Sequence, residues 1–161
     1  MEARGMAQKE AKATALTQQF LGHVYRVQLE PEEDGGYVVT LPDIGYGATQ
    51  GDTLEEVLLQ AEDMLEEAVL GMIAHNEEVP APSPAKGLPV ARLPALTAAK
   101  LELYRAMRRA GLDAPQLAAR LGWPAKKVTH ILDGYHVVRL EQLEAALAAL
   151  GCRFVVTSEP A

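Results

Sequence analysis

The 161 residues predict an α+β chain in two parts. A small sheet-plus-helix domain comes first, followed by an all-α domain that ends in a terminal strand. Three observations carry this expectation. Residues 23–50 alternate at period two, and residues 53–75 switch to a helical period. Five prolines between Val79 and Pro94 exclude a helix there and read as a boundary. Charge changes sign across that boundary: Met1–Leu96 hold 6 Lys and Arg against 16 Asp and Glu, net −10, while Thr97–Ala161 hold 9 against 6, net +3. The acidic half suits a basic partner, most simply a protein, and would be repelled by nucleic acid; the basic half suits an anionic partner.

Met1 to about Gly22 has weak helical character and no motif, and reads as an N-terminal tail. His23–Glu30 is the first expected strand, with Tyr25, Val27 and Leu29 on one face. The acidic run that follows ends Asp34-Gly35-Gly36, a hairpin signal. Tyr37–Leu41 returns, with Tyr37, Val39 and Leu41 alternating. Pro42-Asp43 turns the chain into a short third strand, Tyr46–Gln50. The long helix starts at a capping box, Thr53 with Glu56. Its apolar stripe is Leu54, Val57, Leu58, Ala61, Leu65, Ala68, Val69 and Met72. Glu55, Glu56, Glu62, Asp63, Glu66 and Glu67 lie opposite, either as a solvated face or as a docking surface for a basic partner. The expected first domain is residues 23–85, with residues 86–96 as linker; Leu88, Val90 and Leu93 alternate with other residues, so part of the proline-rich stretch is open to an extended, packed reading.

Thr97–Ala110 is the first helix of the second domain, residues 97–161. Two short helices then flank a tight turn. Asp113 caps the first, with Pro115 in its opening turn and Leu117, Ala118 and Leu121 on one face. Gly122 stops it. The second starts near Pro124, buries Val128, Ile131 and Leu132, and ends at Gly134. Its other side offers Ala125, Lys126, Lys127, Thr129 and His130. Cations that hold phosphate beside short polar groups that reach base edges suit a DNA major groove, so these five residues are the candidate DNA contacts. A last helix, Leu140–Leu150, closes the core with Leu140, Leu143, Leu147 and Leu150. Arg153–Thr157 is the terminal strand, whose simplest partner is its own copy across a dimer axis.

Composition excludes several classes. No apolar run is of membrane-spanning length, and Met1–Gln19 is too polar for a secretory signal, which implies a cytoplasmic protein. One cysteine, Cys152, excludes an internal disulfide framework and a Cys-rich zinc site, and the four histidines lack metal-ligand spacing. We therefore expect no cofactor and no metal.

Family wording then narrows the reading. Leu117-Ala118, Leu121-Gly122, Val128, Ile131-Leu132 and Asp133-Gly134 resemble the helix-turn-helix of phage-repressor-type regulators, over Thr97–Leu150. Ala114 and Ala125 depart from it, standing where that family often has a phosphate-touching and a base-reading Gln. In the first domain, Asp34-Gly35-Gly36-Tyr37-Val38-Val39, Leu41-Pro42-Asp43, Thr49-Gln50-Gly51-Asp52-Thr53-Leu54-Glu55-Glu56 and Val79-Pro80-Ala81-Pro82-Ser83 resemble the HicB antitoxin family. Gly45-Tyr46-Gly47-Ala48 departs from that family's usual Pro-Gly-Cys. The resemblance implies a partial RNase H fold that binds a small, basic, mRNA-cleaving toxin, HicA-like, together with a C-terminal domain that binds operator DNA. The acidic helix residues Glu55, Glu56, Glu62, Asp63, Glu66 and Glu67 become the candidate toxin contacts.

Two other classes compete. A nuclease on an RNase H-like sheet needs clustered carboxylates for two metal ions, but the first strand is centred on Tyr25-Arg26-Val27 and the acids gather in the turn at Glu32–Asp34. Cys152 has no adjacent base. We expect no enzyme. A regulator gated by a small ligand, with Tyr37 or Tyr46 lining a pocket, is the alternative; no phosphate-cradling loop supports it. The sequence thus favours an antitoxin that represses its own operon as a homodimer or higher oligomer.

Overall fold

The computed structural model describes residues 21–45 and 47–158. Nearly all of the N-terminal tail, and Tyr46, lie outside them. Two compact units share the chain: residues up to Ala68 with Val79–Leu93, and Val69–Glu78 with the chain from Pro94 on.

In the first unit β1 (Val24–Arg26), β2 (Gln28–Pro31), β3 (Tyr37–Thr40), β4 (Ala48–Gly51) and β5 (Val90–Arg92) surround most of α1 (Leu54–Ala74). β2, β3 and β4 form an antiparallel meander with Leu29 opposite Val39 and Val39 opposite Thr49. β1 pairs instead with β5, Tyr25 opposite Ala91. The single strand expected over 23–30 is therefore two. The break falls at Val27, whose N–H donates to Pro89 O at 2.8 Å; Pro89 has no N–H to return, so the ladder stops. Tyr25 and Val27 are fully buried, as the alternation requires, and Leu29 is half-buried.

β5 corrects the expectation of a linker over 86–96. Ala91 and Leu93 are core residues, and three residues of the proline-rich stretch, Val90–Arg92, pair with β1 between Pro89 and Pro94. The turn from β2 to β3 is tight because a Cβ on Gly36 would lie 2.8 Å from Gly51 O. Gly51 is itself pressed against Val57, so β4 passes directly into α1. Thr53 Oγ1 accepts from Glu56 N (3.2 Å), while the Glu56 carboxylate accepts from Asp52 N (3.1 Å). That is the expected box shifted by one residue on its return arm. Val57, Ala61, Leu65, Ala68, Val69 and Met72 are buried, but Leu54 is exposed and Leu58 half-buried.

The second unit contains α2 (Ala95–Ala110), α3 (Ala114–Leu121), α4 (Ala125–Leu132) and α5 (Leu140–Ala149). Its core joins Ala99, Leu103, Ala106 and Met107 of α2 with Leu117, Ala118, Val128, Ile131, Leu143, Ala146 and Leu147. α5 seals the core through Leu143, Ala146 and Leu147, with half-buried Leu150 packed against them, whereas Leu140 is exposed. Residues 153–157 form no strand; Phe154 packs on the core instead. A strand needs a partner ladder, and the chain supplies none to this segment.

Candidate nucleic-acid interface

The α3–α4 pair is built by local chemistry. Asp113 Oδ1 accepts from Gln116 N (2.8 Å) and Gln116 Oε1 accepts from Asp113 N (2.9 Å), a reciprocal cap. Gly122 ends α3 in the left-handed region at φ 64°, and Trp123 N donates to Ala118 O at 2.9 Å, so the chain reverses within three residues. Pro124 then leads into α4. The buried side of α4 is Val128 and Ile131, with Leu132 half-buried. Ala125, Lys126, Thr129 and His130 are exposed and share the opposite face, spaced 1, 3, 4 and 5 residues apart along one helix.

Each of the five expected DNA contacts has a distinct setting. Lys126 is exposed. Lys127 is half-buried, its Nζ 3.8 Å from the centroid of the Trp123 ring, a cation–π contact that turns it along the protein surface. Thr129 Oγ1 donates to Ala125 O at 3.4 Å, the long back-bond of a helical threonine. The His130 ring stacks on that of His136, centroids 4.3 Å apart and planes 10° from parallel.

His136 and Lys100 were not singled out by the sequence. Asp133 closes the loop after α4: its Oδ1 accepts from Tyr135 N and its Oδ2 contacts His136 Nδ1, both at 2.9 Å. The Tyr135 amide, and then burial-opposed contributions from His136 and Lys100, hold the Asp133 carboxyl below its ordinary value. Lys100, 1% exposed, donates from Nζ to Asp133 O at 2.5 Å and to His136 O at 3.0 Å. The one available signal was position: Lys100 lies between Ala99 and Leu101, inside an arc of α2 that is otherwise apolar.

Of the α2 arginines, Arg108 and Arg109 are exposed and Arg105 is half-buried. Arg108 donates to Asn76 O (3.1 Å) and Tyr104 Oη (3.3 Å), and Arg105 pairs with Glu102 at 3.1 Å. Tyr104 Oη in turn donates to Glu77 O at 2.7 Å. These bonds place residues 76 and 77 against α2 and explain why Val69–Glu78 belongs with this unit.

The candidate toxin-contact acids of α1 are not uniformly available. Glu55, Glu56, Asp63 and Glu67 are exposed, while Glu62 and Glu66 are half-buried. Glu56 caps the helix, and Glu62 Oε1 accepts from Arg92 N at 3.1 Å, tying α1 to β5. A shallow open groove of about 380 Å³ runs along β1 and β2, lined by Arg26, Val27, Gln28, Leu29, Pro42, Leu88 and Pro89; Tyr37 takes no part in it. Among the described residues no group of His, Cys, Asp and Glu is placed to hold a metal ion, and no helix is long and apolar enough to cross a membrane.

A capped helix, a glycine turn and a second helix with a basic polar face, in a chain whose other unit is an acidic sheet and helix, define a regulator with a DNA-binding module. Comparison with known proteins is specific. Residues 24–102 match the family of HicB-like antitoxins of bacterial toxin–antitoxin systems, and residues 98–153 match a helix-turn-helix domain. Antitoxin HicB 1 of Photorhabdus laumondii is 36% identical over 135 residues, 84% of this chain and 86% of the relative. Antitoxin HicB of Escherichia coli K12 is 32% identical over 128 residues (79% and 93%), and that of Pseudomonas fluorescens 34% over 132 residues (81% and 90%). The chain belongs to the HicB antitoxin family and carries a helix-turn-helix DNA-binding domain at its C-terminal end.

Proposed function

We propose that this protein binds and neutralises a small, basic, RNA-cleaving toxin through its first unit, and represses its own operon through its second. It works in the cytosol and without cofactor or catalysis of its own. The observation that carries the DNA half is α4: Val128 and Ile131 are locked in the core while Ala125, Lys126, Thr129 and His130 face outward from one short helix. Lys126 holds phosphate; Thr129 and His130 read base edges. Ala125, with no polar group, contacts a thymine methyl or sets the depth of approach. Two copies must act together, because operator symmetry places reading helices about one duplex turn, ~34 Å, apart.

The toxin half rests on charge and family. The described residues of the first unit are strongly acidic, and Glu55, Asp63 and Glu67 stand exposed on α1 with no role in the unit's own hydrogen bonds given above. Their attraction for a basic toxin speeds encounter more than it sets final affinity. The test is co-expression with a small, basic, HicA-like toxin that kills the host cell when expressed alone. Cells survive with the wild-type chain and with the Lys126→Ala, Lys127→Ala double variant, while only wild type silences a reporter driven by the operon's promoter. Cell death with the double variant, folded and abundant, sinks the division of labour. A monomer at micromolar concentration, free and on DNA, sinks the dimeric operator reading.

A further inference from the structure

We infer that Lys100 and His136 are positioning residues for DNA recognition: Lys100 pins the loop after α4, and His136, fixed by that loop, sets the ring of His130 on the DNA-facing surface. The inference rests on α4 being the reading helix.

The geometry runs through contiguous contacts. Lys100 lies on α2 at 1% exposure. A buried ammonium must find acceptors, and those it has in the loop are Asp133 O, at the C-cap of α4, and His136 O three residues on. Free carbonyls at a helix C-terminus are the negative end of its dipole, so the cation sits where it is stabilised. The Asp133 carboxylate closes the same loop from the other side. Because Oδ2 can only accept, its 2.9 Å contact selects the form of His136 with the proton on Nδ1. That hydrogen bond fixes the imidazole plane, and the 10° interplanar angle with His130 follows. His130 is exposed; an exposed side chain on a helix would ordinarily sample several rotamers, and stacking against a fixed ring removes that freedom. Loss of rotamer entropy on binding is thereby reduced in advance.

His136 stands on the loop and Lys100 is buried, so their effect on base choice is routed through His130. The charged contacts of α4 do not depend on them. A purely structural role predicts lower stability and nothing more. A positioning role predicts a change in discrimination at unchanged phosphate contact.

The test uses the full chain and two readouts. The first is proton NMR of the free protein, following the His130 ring resonances. His136→Ala removes the stacked ring, so the His130 signals shift; His136→Phe keeps an aromatic face and retains most of the ring-current effect. Lys100→Met keeps the aliphatic stem without the ammonium, and its expected signature is line broadening of His136 and His130. The second readout is binding to a duplex enriched by wild-type protein from a random library, against a scrambled duplex. His136→Ala is expected to lower the preference about tenfold with the salt slope unchanged, and His136→Phe to restore most of it. Unmoved His130 resonances in His136→Ala overturn the inference whatever the DNA result. So does an unchanged preference. Should no duplex be enriched, the DNA-reading proposal for α4 fails, while the NMR arm still decides whether the rings are coupled. Where Lys100→Met does not fold, the His136 variants decide alone, since that side chain is 46% exposed and removable without opening the core.

Discussion

Asp43 is the residue whose loss should cost the first unit most for the fewest atoms. Its side chain is 7% exposed and makes three contacts. Oδ2 accepts from Ser83 N at 3.0 Å, Oδ1 accepts from Ser83 Oγ at 2.7 Å, and Arg26 Nη2 lies 3.3 Å from Oδ1. Asp43→Ala strands all three donors. Each hydrogen bond to a charged acceptor contributes about 1.5–3 kcal/mol. The ion pair adds at most about 1 kcal/mol, because Arg26 is one-third exposed and screened by solvent. The buried Arg26 Nε already lacks a partner, so the guanidinium has little to fall back on. The total is roughly 3–7 kcal/mol, a large share of a small domain's stability, and Tm should fall by roughly 20 °C or more. Ser83→Ala keeps the backbone bond and loses only the hydroxyl, for about 1.5–3 kcal/mol. Urea unfolding followed by far-UV circular dichroism measures both; the sole tryptophan, Trp123, belongs to the second unit and does not report on this one. If Asp43→Ala lies within about 1 kcal/mol of wild type, or costs no more than Ser83→Ala, the cluster does not hold the β3–β4 turn to the segment at Ser83 and the reasoning fails.

Three further outcomes are expected. Lys126→Ala should reduce the log–log salt slope of DNA binding by about one unit, whereas Lys127→Ala, which loses its contact with Trp123, should change the slope less and cost about 0.5–1 kcal/mol of stability; equal slopes for the two would show that Lys127 leaves the ring to meet phosphate. Asp133, with its carboxyl lowered from 3.8, stabilises the loop fully above that value and loses this contribution as pH falls through the lower folded one, so the Tyr135 amide shift should hold steady from neutral pH and move only below about pH 4; a midpoint at or above 3.8 contradicts it. A fragment ending at Ala85, which the sequence alone would choose as the toxin-binding domain, lacks β5 with buried Ala91 and Leu93 and should fail to fold, while one ending at Pro94 keeps the sheet. Comparing their dichroism spectra and urea midpoints decides between them.

What the sequence made legible was whatever is written in short-range periodicity and capping. Asp113, Gly122 and the Val128–Ile131 pair each act within a few residues, and the structure places them as expected. The β1–β2 break was not legible, because it depends on Pro89, some sixty residues away, being the partner of Val27. β5 was only half legible for a related reason: the alternation at Leu88, Val90 and Leu93 allowed an extended segment, but prolines advertise a linker, and only pairing with β1 makes Val90–Arg92 a strand. Arg153–Thr157 is not a strand within the single chain: the ladder expected for it belongs to a second copy, and within one chain Phe154 packs on the core. Within the candidate interface the exposed face of α4 was readable from spacing. The loop that supports it was not, since no periodicity connects Lys100 to His136.

The interleaving of the two units has a consequence for how such a chain can be remodelled. Val69–Glu78 packs with the DNA-binding unit, yet Val79–Leu93 returns to the sheet. No single peptide bond separates them. Exchanging the C-terminal module for another by one crossover near Pro94 would leave Leu70 facing a stranger, and the carbonyls of Glu77 and Asn76 without their donors Tyr104 and Arg108. Substitutions along residues 69–78 therefore have to track α2 and the loop at Gly134, whose missing side chain makes room for Leu70. In this chain the C-terminal third of α1 is inherited with the helix-turn-helix unit, although it is encoded within the stretch that matches the HicB-like family.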